Sequence, residues 1–170
     1  PHEAQLGAEE FGKELHVFAP AFTKRDLQAL LPIAHHISFN SFTQWKVHRE
    51  TVSASDHSIS CGLRVNPGYS EVEVEIYDPC AKGSRLGIPL EAFEGQSLDG
   101  IEGLHFHALC EQDSGTLARV LYSFEERFDH WLPQMKWVNF GGGHHITSPT
   151  YDRERLVRII REFQERHPNL

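Results

Sequence analysis

Cysteine, surplus positive charge and long apolar runs are all scarce in this chain. Its three cysteines, Cys61, Cys80 and Cys110, lie far apart and form no C-x-x-C pair. The sequence therefore offers neither a zinc ribbon nor a redox dithiol, and no metal ligand set is assigned. Each cysteine reads as a small buried hydrophobe in a reducing, cytoplasmic setting. Sixteen Lys and Arg against 24 Asp and Glu leave a net charge of −8, the wrong sign for broad nucleic-acid binding. No apolar stretch approaches a membrane span. Pro1 to Gln5 has neither the basic start nor the apolar core of a signal peptide. The G-x-S-x-G, G-x-G-x-x-G and G-x-x-x-x-G-K-[ST] signatures are missing. None of the five lysines (Lys13, Lys24, Lys46, Lys82, Lys136) falls at the carboxyl end of an apolar strand, where burial could lower its pKa for nucleophilic work.

What is present is an ordinary globular composition, 39% hydrophobic and 24% charged over 170 residues, enough for one domain with a core. Strand and helix signals alternate. Helices are expected at His2 to Phe11 (stopped by Gly12), Lys24 to Leu31 (capped by Thr23), from Ser41 through Arg49, briefly at Ile88 to Phe93, at Thr116 to Trp131, and at Asp152 to Arg166. Leu117, Val120, Leu121, Phe124 and Phe128 share one face of the fifth, and Leu156, Ile159, Ile160 and Phe163 one face of the last. Strands are expected at Leu15 to Ala19, His36 to Phe39, Ile59 to Val65, Ile101 to His107 and Lys136 to Phe140. In the long connection from Tyr69 to Ser84, Glu71, Glu73 and Glu75 alternate with Val72, Val74 and Ile76. That period of two suits an extended edge segment with a solvated acidic face.

Five strands with helical crossovers imply an α/β fold with a parallel sheet. The pattern begins within a helix and stops at the approach to a strand, so the expectation is an incomplete (β/α)8 barrel. A small doubly wound sheet is the alternative. Either architecture places function at the carboxyl ends of the strands. Two motifs lie there. In Trp137-Val138-Asn139-Phe140-Gly141-Gly142-Gly143-His144-His145 an apolar run stops at three glycines, whose bare main chain suits an anionic headgroup. In Gly103-Leu104-His105-Phe106-His107 two histidines sit two apart, on one side of a strand. Spacing leaves three readings open: core histidines, a metal site completed by His144 and His145, or an imidazole against an aromatic cofactor.

Further stretches add to these: Phe39-Asn40-Ser41-Phe42, Gly62-Leu63-Arg64-Val65-Asn66-Pro67, Tyr77-Asp78-Pro79-Cys80-Ala81, Gly83-Ser84-Arg85-Leu86-Gly87 and Gly103 through Gln112. Together with Trp137 to Thr147, they make the chain resemble the carboxynorspermidine/carboxyspermidine decarboxylases. These are pyridoxal 5'-phosphate (PLP) enzymes of the alanine racemase-like barrel class, related to diaminopimelate and ornithine decarboxylases. The resemblance implies that residues 1–170 are the central part of the barrel, roughly strands three to seven. It places the cofactor lysine before Pro1, and the acidic partner of the pyridine nitrogen and a β-rich second domain after Leu170, so the segment alone should be inactive. It implies that Gly141, Gly142 and Gly143, with His144, bind the phosphate and that His107 stacks on the pyridine ring. Cys110 stands where relatives carry a phosphate-binding serine, and Arg64 lies near the ring. The implied substrate is a carboxylated polyamine with an α-amino acid end and a cationic tail, and the implied assembly is a cytoplasmic homodimer. Other readings are a diaminopimelate- or ornithine-type decarboxylase, a non-catalytic PLP-binding barrel, and a metal hydrolase built on His105, His107, His144 and His145.

Overall fold

The computed structural model describes all 170 residues. The chain runs α1 (His2–Phe11), β1 (His16–Phe18), α2 (Lys24–Leu30), β2 (His36–Phe39), α3 (Phe42–Ser53), β3 (Ser60–Arg64), α4 (Leu90–Phe93), β4 (Gly103–His105), α5 (Ser114–Phe128), β5 (Trp137–Asn139) and α6 (Arg153–Arg166). All strand pairings are parallel and the order is β1-β2-β3-β4-β5. A doubly wound sheet would reverse its strand order at a switch point. Strictly sequential order is that of a barrel wall, here five strands of it.

Local chemistry sets the helix starts. Thr23, Ser41, Asp113 and Asp152 each accept the main-chain N–H three residues on, at 2.8–3.1 Å. Each such cap is worth about 1 kcal/mol. One side of the strands carries Ile37, Phe39, Leu63, Leu104 and Phe106, essentially without exposure, beneath α5's Leu117, Val120, Leu121, Phe124 and Phe128. Alternation puts the in-register residues His16, His36 and Ser60, then Phe18, Ser38, Gly62, Gly103 and Trp137, then Arg64, His105 and Asn139, on the other side, the lumen of a closed barrel.

Several expectations are corrected. Glu71 to Ile76 forms no strand; the segment ends in a 3-10 turn at Glu75–Tyr77. Helix α5 starts at Ser114 and stops at Phe128, and a 3-10 segment holding Pro133 follows, because proline cannot donate to an α-helical ladder. Helix α4 is only four residues long; Ile88 instead bridges Val65 as a parallel partner. Strand β4 ends at His105, so His107 lies in the loop beyond it. Ile160 is more than a third exposed, and Pro168 to Leu170 form a turn. Of the cysteines, Cys61 is buried, Cys80 half-buried and Cys110 exposed.

Candidate active site

The glycine loop leaves β5 at its carboxyl end and is laid directly against the segment that leaves β4. Gly141 has φ 72° and Gly143 φ 85°, in the left-handed region that a side chain enters only at a cost. A Cβ on Gly141 would overlap the Phe106 carbonyl, and one on Gly143 the Leu109 carbonyl. Close approach to the neighbouring loop therefore demands two of the three glycines. Gly142 is open, its nearest would-be contact being His107 Cε1 at 3.7 Å.

The amides divide in the same way. Gly141 N–H donates to Asn139 Oδ1 (2.8 Å) and Gly142 N–H to His107 Nδ1 (3.3 Å). The N–H groups of Gly143 and His144 donate to nothing in the chain. Gln112 stitches the two loops together. Its N–H donates to the Gly143 carbonyl and its carbonyl accepts from His145 N–H, both at 3.0 Å. Its side chain donates to the Glu71 carbonyl at 2.6 Å. Glu111, beside it, has φ 53°, an uncommon conformation for a non-glycine residue.

His107 is half-buried next to this loop. Burial first, and the nearby Arg64 charge second, hold its pKa below the ordinary histidine value, so it is a neutral imidazole at neutral pH. Arg64 is 4% exposed and donates to the His107 carbonyl at 3.0 Å. Its guanidinium lies 4.7 Å from the Phe18 ring centroid, an attraction of aromatic face for cation. Burial lowers its pKa only to about 10, so Arg64 stays charged and holds the turn that carries His107. His105 is buried, with its pKa pushed down to about 3 by burial and then Arg64; its Nδ1 has no partner. His144 is half-buried, Nδ1 bonded to the Tyr151 hydroxyl at 2.6 Å. Cys110 lies exposed beside the loop, its N–H directed to Gln112 Oε1 at 3.4 Å. Arg85 is exposed, its carbonyl tied to Asn40 at 2.7 Å.

His105, His107, His144 and His145 do not converge as a ligand set. The His/Cys/Asp/Glu group whose donor atoms do meet is Glu14, His16 and His36, at the opposite end of the strands. The glutamate row also departs from a uniform solvated face. Glu71 pairs with Arg119 through two contacts, one of them 2.8 Å, and accepts from Thr116 and Tyr69. The Arg119 hydrogen bond is the main reason its pKa falls to about 2. Sequence reasoning missed Arg119 and Tyr151 as members of this region, whereas the position of Glu111 and Gln112 just after the histidine strand already made them candidates to face ligand. Only the Asp113 cap, adjacent to Gln112, signalled that the loop after β4 is tightly organised.

Sequential parallel strands with an anion-suited loop and an imidazole at their carboxyl ends define part of an alanine racemase-like (β/α)8 barrel. No family model matches the chain. It is 46% identical over 99% of its length to a carboxyaminopropylagmatine decarboxylase of Synechocystis sp.. It is 44% identical over 97% of its length to a carboxynorspermidine/carboxyspermidine decarboxylase of Campylobacter jejuni. Among solved structures it matches carboxynorspermidine decarboxylase of Campylobacter jejuni complexed with norspermidine, with TM-score 0.84 and 40% identity over 99% of the chain. A diaminopimelate decarboxylase matches at TM-score 0.62 and 15% identity over 91% of the chain, a likeness of fold. The resemblance carried by the motifs is thus shown: nearly the whole chain aligns with part of decarboxylases that include carboxynorspermidine/carboxyspermidine decarboxylases. It spans 43% and 42% of the length of these two curated relatives, and 42% of the norspermidine-bound structure. No helix is long and apolar enough to cross a membrane.

Proposed function

We propose that this chain is the central barrel portion of a PLP-dependent decarboxylase that removes the α-carboxylate of carboxynorspermidine or carboxyspermidine. The observation that carries the reading is the pairing of two unspent main-chain donors, Gly143 N–H and His144 N–H, with a neutral imidazole, His107, one hydrogen bond away at Gly142. This suits a ligand with an anionic headgroup and an aromatic ring. The sequence likeness to named decarboxylases supports the same conclusion.

The residues fit PLP. Gly141 and Gly143 draw the loop against its neighbour with no side chain between, and Gly143 N–H, His144 and Cys110 would hold the phosphate. His107 would lie against the ring; because it is neutral, it adds no positive charge there. Arg64 donates to the His107 carbonyl and so keeps a positive charge beside the turn that would present His107 to the ring. When bound, PLP acts as the electron sink for the pair released as carbon dioxide departs. The protein residues orient the ring and fix the headgroup. The lysine and acidic partner that complete such a site belong, on this reading, to parts of the protein outside these residues, together with a β-rich domain and the second subunit of a cytoplasmic homodimer.

A second substrate reading is favoured by the Synechocystis relative, whose name specifies carboxyaminopropylagmatine. Both substrates present an amino acid head and a cationic tail, so the head-binding residues serve either. The test is the intact protein and its His107→Ala variant, assayed for carbon dioxide release from carboxynorspermidine, carboxyaminopropylagmatine and diaminopimelate, with bound cofactor followed by absorbance. A polyamine-type substrate should turn over fastest, and the variant should lose at least about 100-fold in rate while retaining cofactor. Equal turnover by the variant, or preference for diaminopimelate, would contradict the proposal.

A further inference from the structure

Tyr151 is a buried phenol, 6% exposed, one residue before the cap of α6. Nothing in the decarboxylation reading gives it a part. Its hydroxyl forms one hydrogen bond within the chain, to His144 Nδ1 at 2.6 Å. The alternative polarity would have Nδ1–H donate to the phenol oxygen, leaving a buried hydroxyl proton with no acceptor in the chain. Buried donors are satisfied in nearly all folded proteins. The phenol proton is therefore given to Nδ1, and the one proton of a neutral imidazole must sit on Nε2. That nitrogen has no partner in the chain and is not enclosed. The same residue's main-chain N–H is one of the two unspent donors of the glycine loop.

We infer that Tyr151 is a positioning residue that locks His144 in the Nε2–H tautomer, so that side chain and main chain of His144 present two donors to one anionic headgroup. This rests on the cofactor reading above and deepens it at the phosphate end. Burial lowers the His144 pKa and raises that of Tyr151. Both groups therefore stay neutral near pH 7, which the arrangement requires. The seven-residue hop from His144 to Tyr151 couples the glycine loop to the start of α6. The phenol thereby sets the chemical character of a group that touches the ligand without touching the ligand itself.

The test uses the intact protein labelled with 15N-histidine, with inorganic phosphate and PLP as separate probes. In the wild type the His144 ring nitrogens should report Nε2–H. In Tyr151→Phe, which keeps the ring and the packing, the tautomers should mix. Phosphate affinity should fall about threefold to tenfold, and in His144→Ala about tenfold or more, the range for a hydrogen bond to a charged group. In His144→Gln, whose amide donates without tautomerism, adding Tyr151→Phe should leave phosphate affinity unchanged. An unaltered tautomer in Tyr151→Phe would overturn the inference, as would unaltered affinity where His144→Ala weakens binding. Failure of the wild type to bind either probe would instead defeat the cofactor reading. A tautomer shift in that case would still support Tyr151's hold on His144.

Discussion

The two ends of one five-stranded sheet are built on opposite principles. At the amino ends, polar groups are consumed among themselves. Lys136 pairs with Glu102, Glu102 accepts from Ser60, and Ser60 accepts from the Trp137 indole N–H at 2.8 Å. The Trp137 ring lies where side chains on Gly62 and Gly103 would otherwise stand, and His16 and His36 stack at 3.9 Å beside it. Among the buried side-chain atoms there, His36 Nδ1 alone lacks a partner. At the carboxyl ends the same strands β4 and β5 run into loops that leave main-chain donors unspent, an imidazole half-open and Glu111 in an uncommon conformation. An end that satisfies itself stabilises the wall. The end that does not is the one able to bind.

The comparison breaks most severely if Gly143→Ala is tolerated. A left-handed backbone costs about 1–2 kcal/mol for a residue with a Cβ, and the methyl would overlap the Leu109 carbonyl. The expected total loss exceeds about 3 kcal/mol in denaturant titration, with PLP binding lost as well. Wild-type stability in this variant would mean that the two loops do not meet as described. Trp137→Ala comes next. Emptying the space above Gly62 and Gly103 should cost about 2–4 kcal/mol, yet phosphate affinity in the folded variant should change by less than about twofold. Collapse of binding there would show that the two ends are not independent.

The smallest effect sharpens the account within the binding end. Glu71 latches the loop after β3 to α5, and its pKa lies at about 2 instead of 4.5. The group is depressed in the folded state, so its contribution is fully present above pH 4.5. It fades as pH falls toward 2, because the unfolded chain takes up the proton first. The pair is partly exposed, side chains 52% and 28% accessible, which limits its worth to about 1 kcal/mol or less. Glu71→Gln should remove that increment at pH 7 and flatten the fall in stability between pH 4.5 and 2. An unchanged acid profile would mean the latch contributes nothing.

The strands, the helix caps and the glycine loop were legible because each rests on local pattern: apolar runs, a cap residue, a run of glycines. Thr23, Ser41 and the α5 stripe behave as their spacing implies. Period alone misled at Glu71 to Ile76. Alternation permits a strand, but a strand needs a neighbour's main chain, and Glu71 instead found Arg119, 48 positions away. His105 and His107 were paired by strand spacing, yet β4 ends between them, so one is a buried lumen-side strand residue and the other a loop residue. Gln112 stood out only by its place after the histidine strand, and Arg119 and Tyr151 could not be found from sequence, since their roles exist only through contacts across loops.

The most direct test of the central claim is an amide NMR titration of the intact protein with PLP. The largest shifts should fall at Gly143 and His144 N–H, with accompanying changes at the His107 ring and none at the Trp137 indole N–H. Shifts centred on Trp137, His16 and His36, with Gly143 and His144 silent, would contradict it.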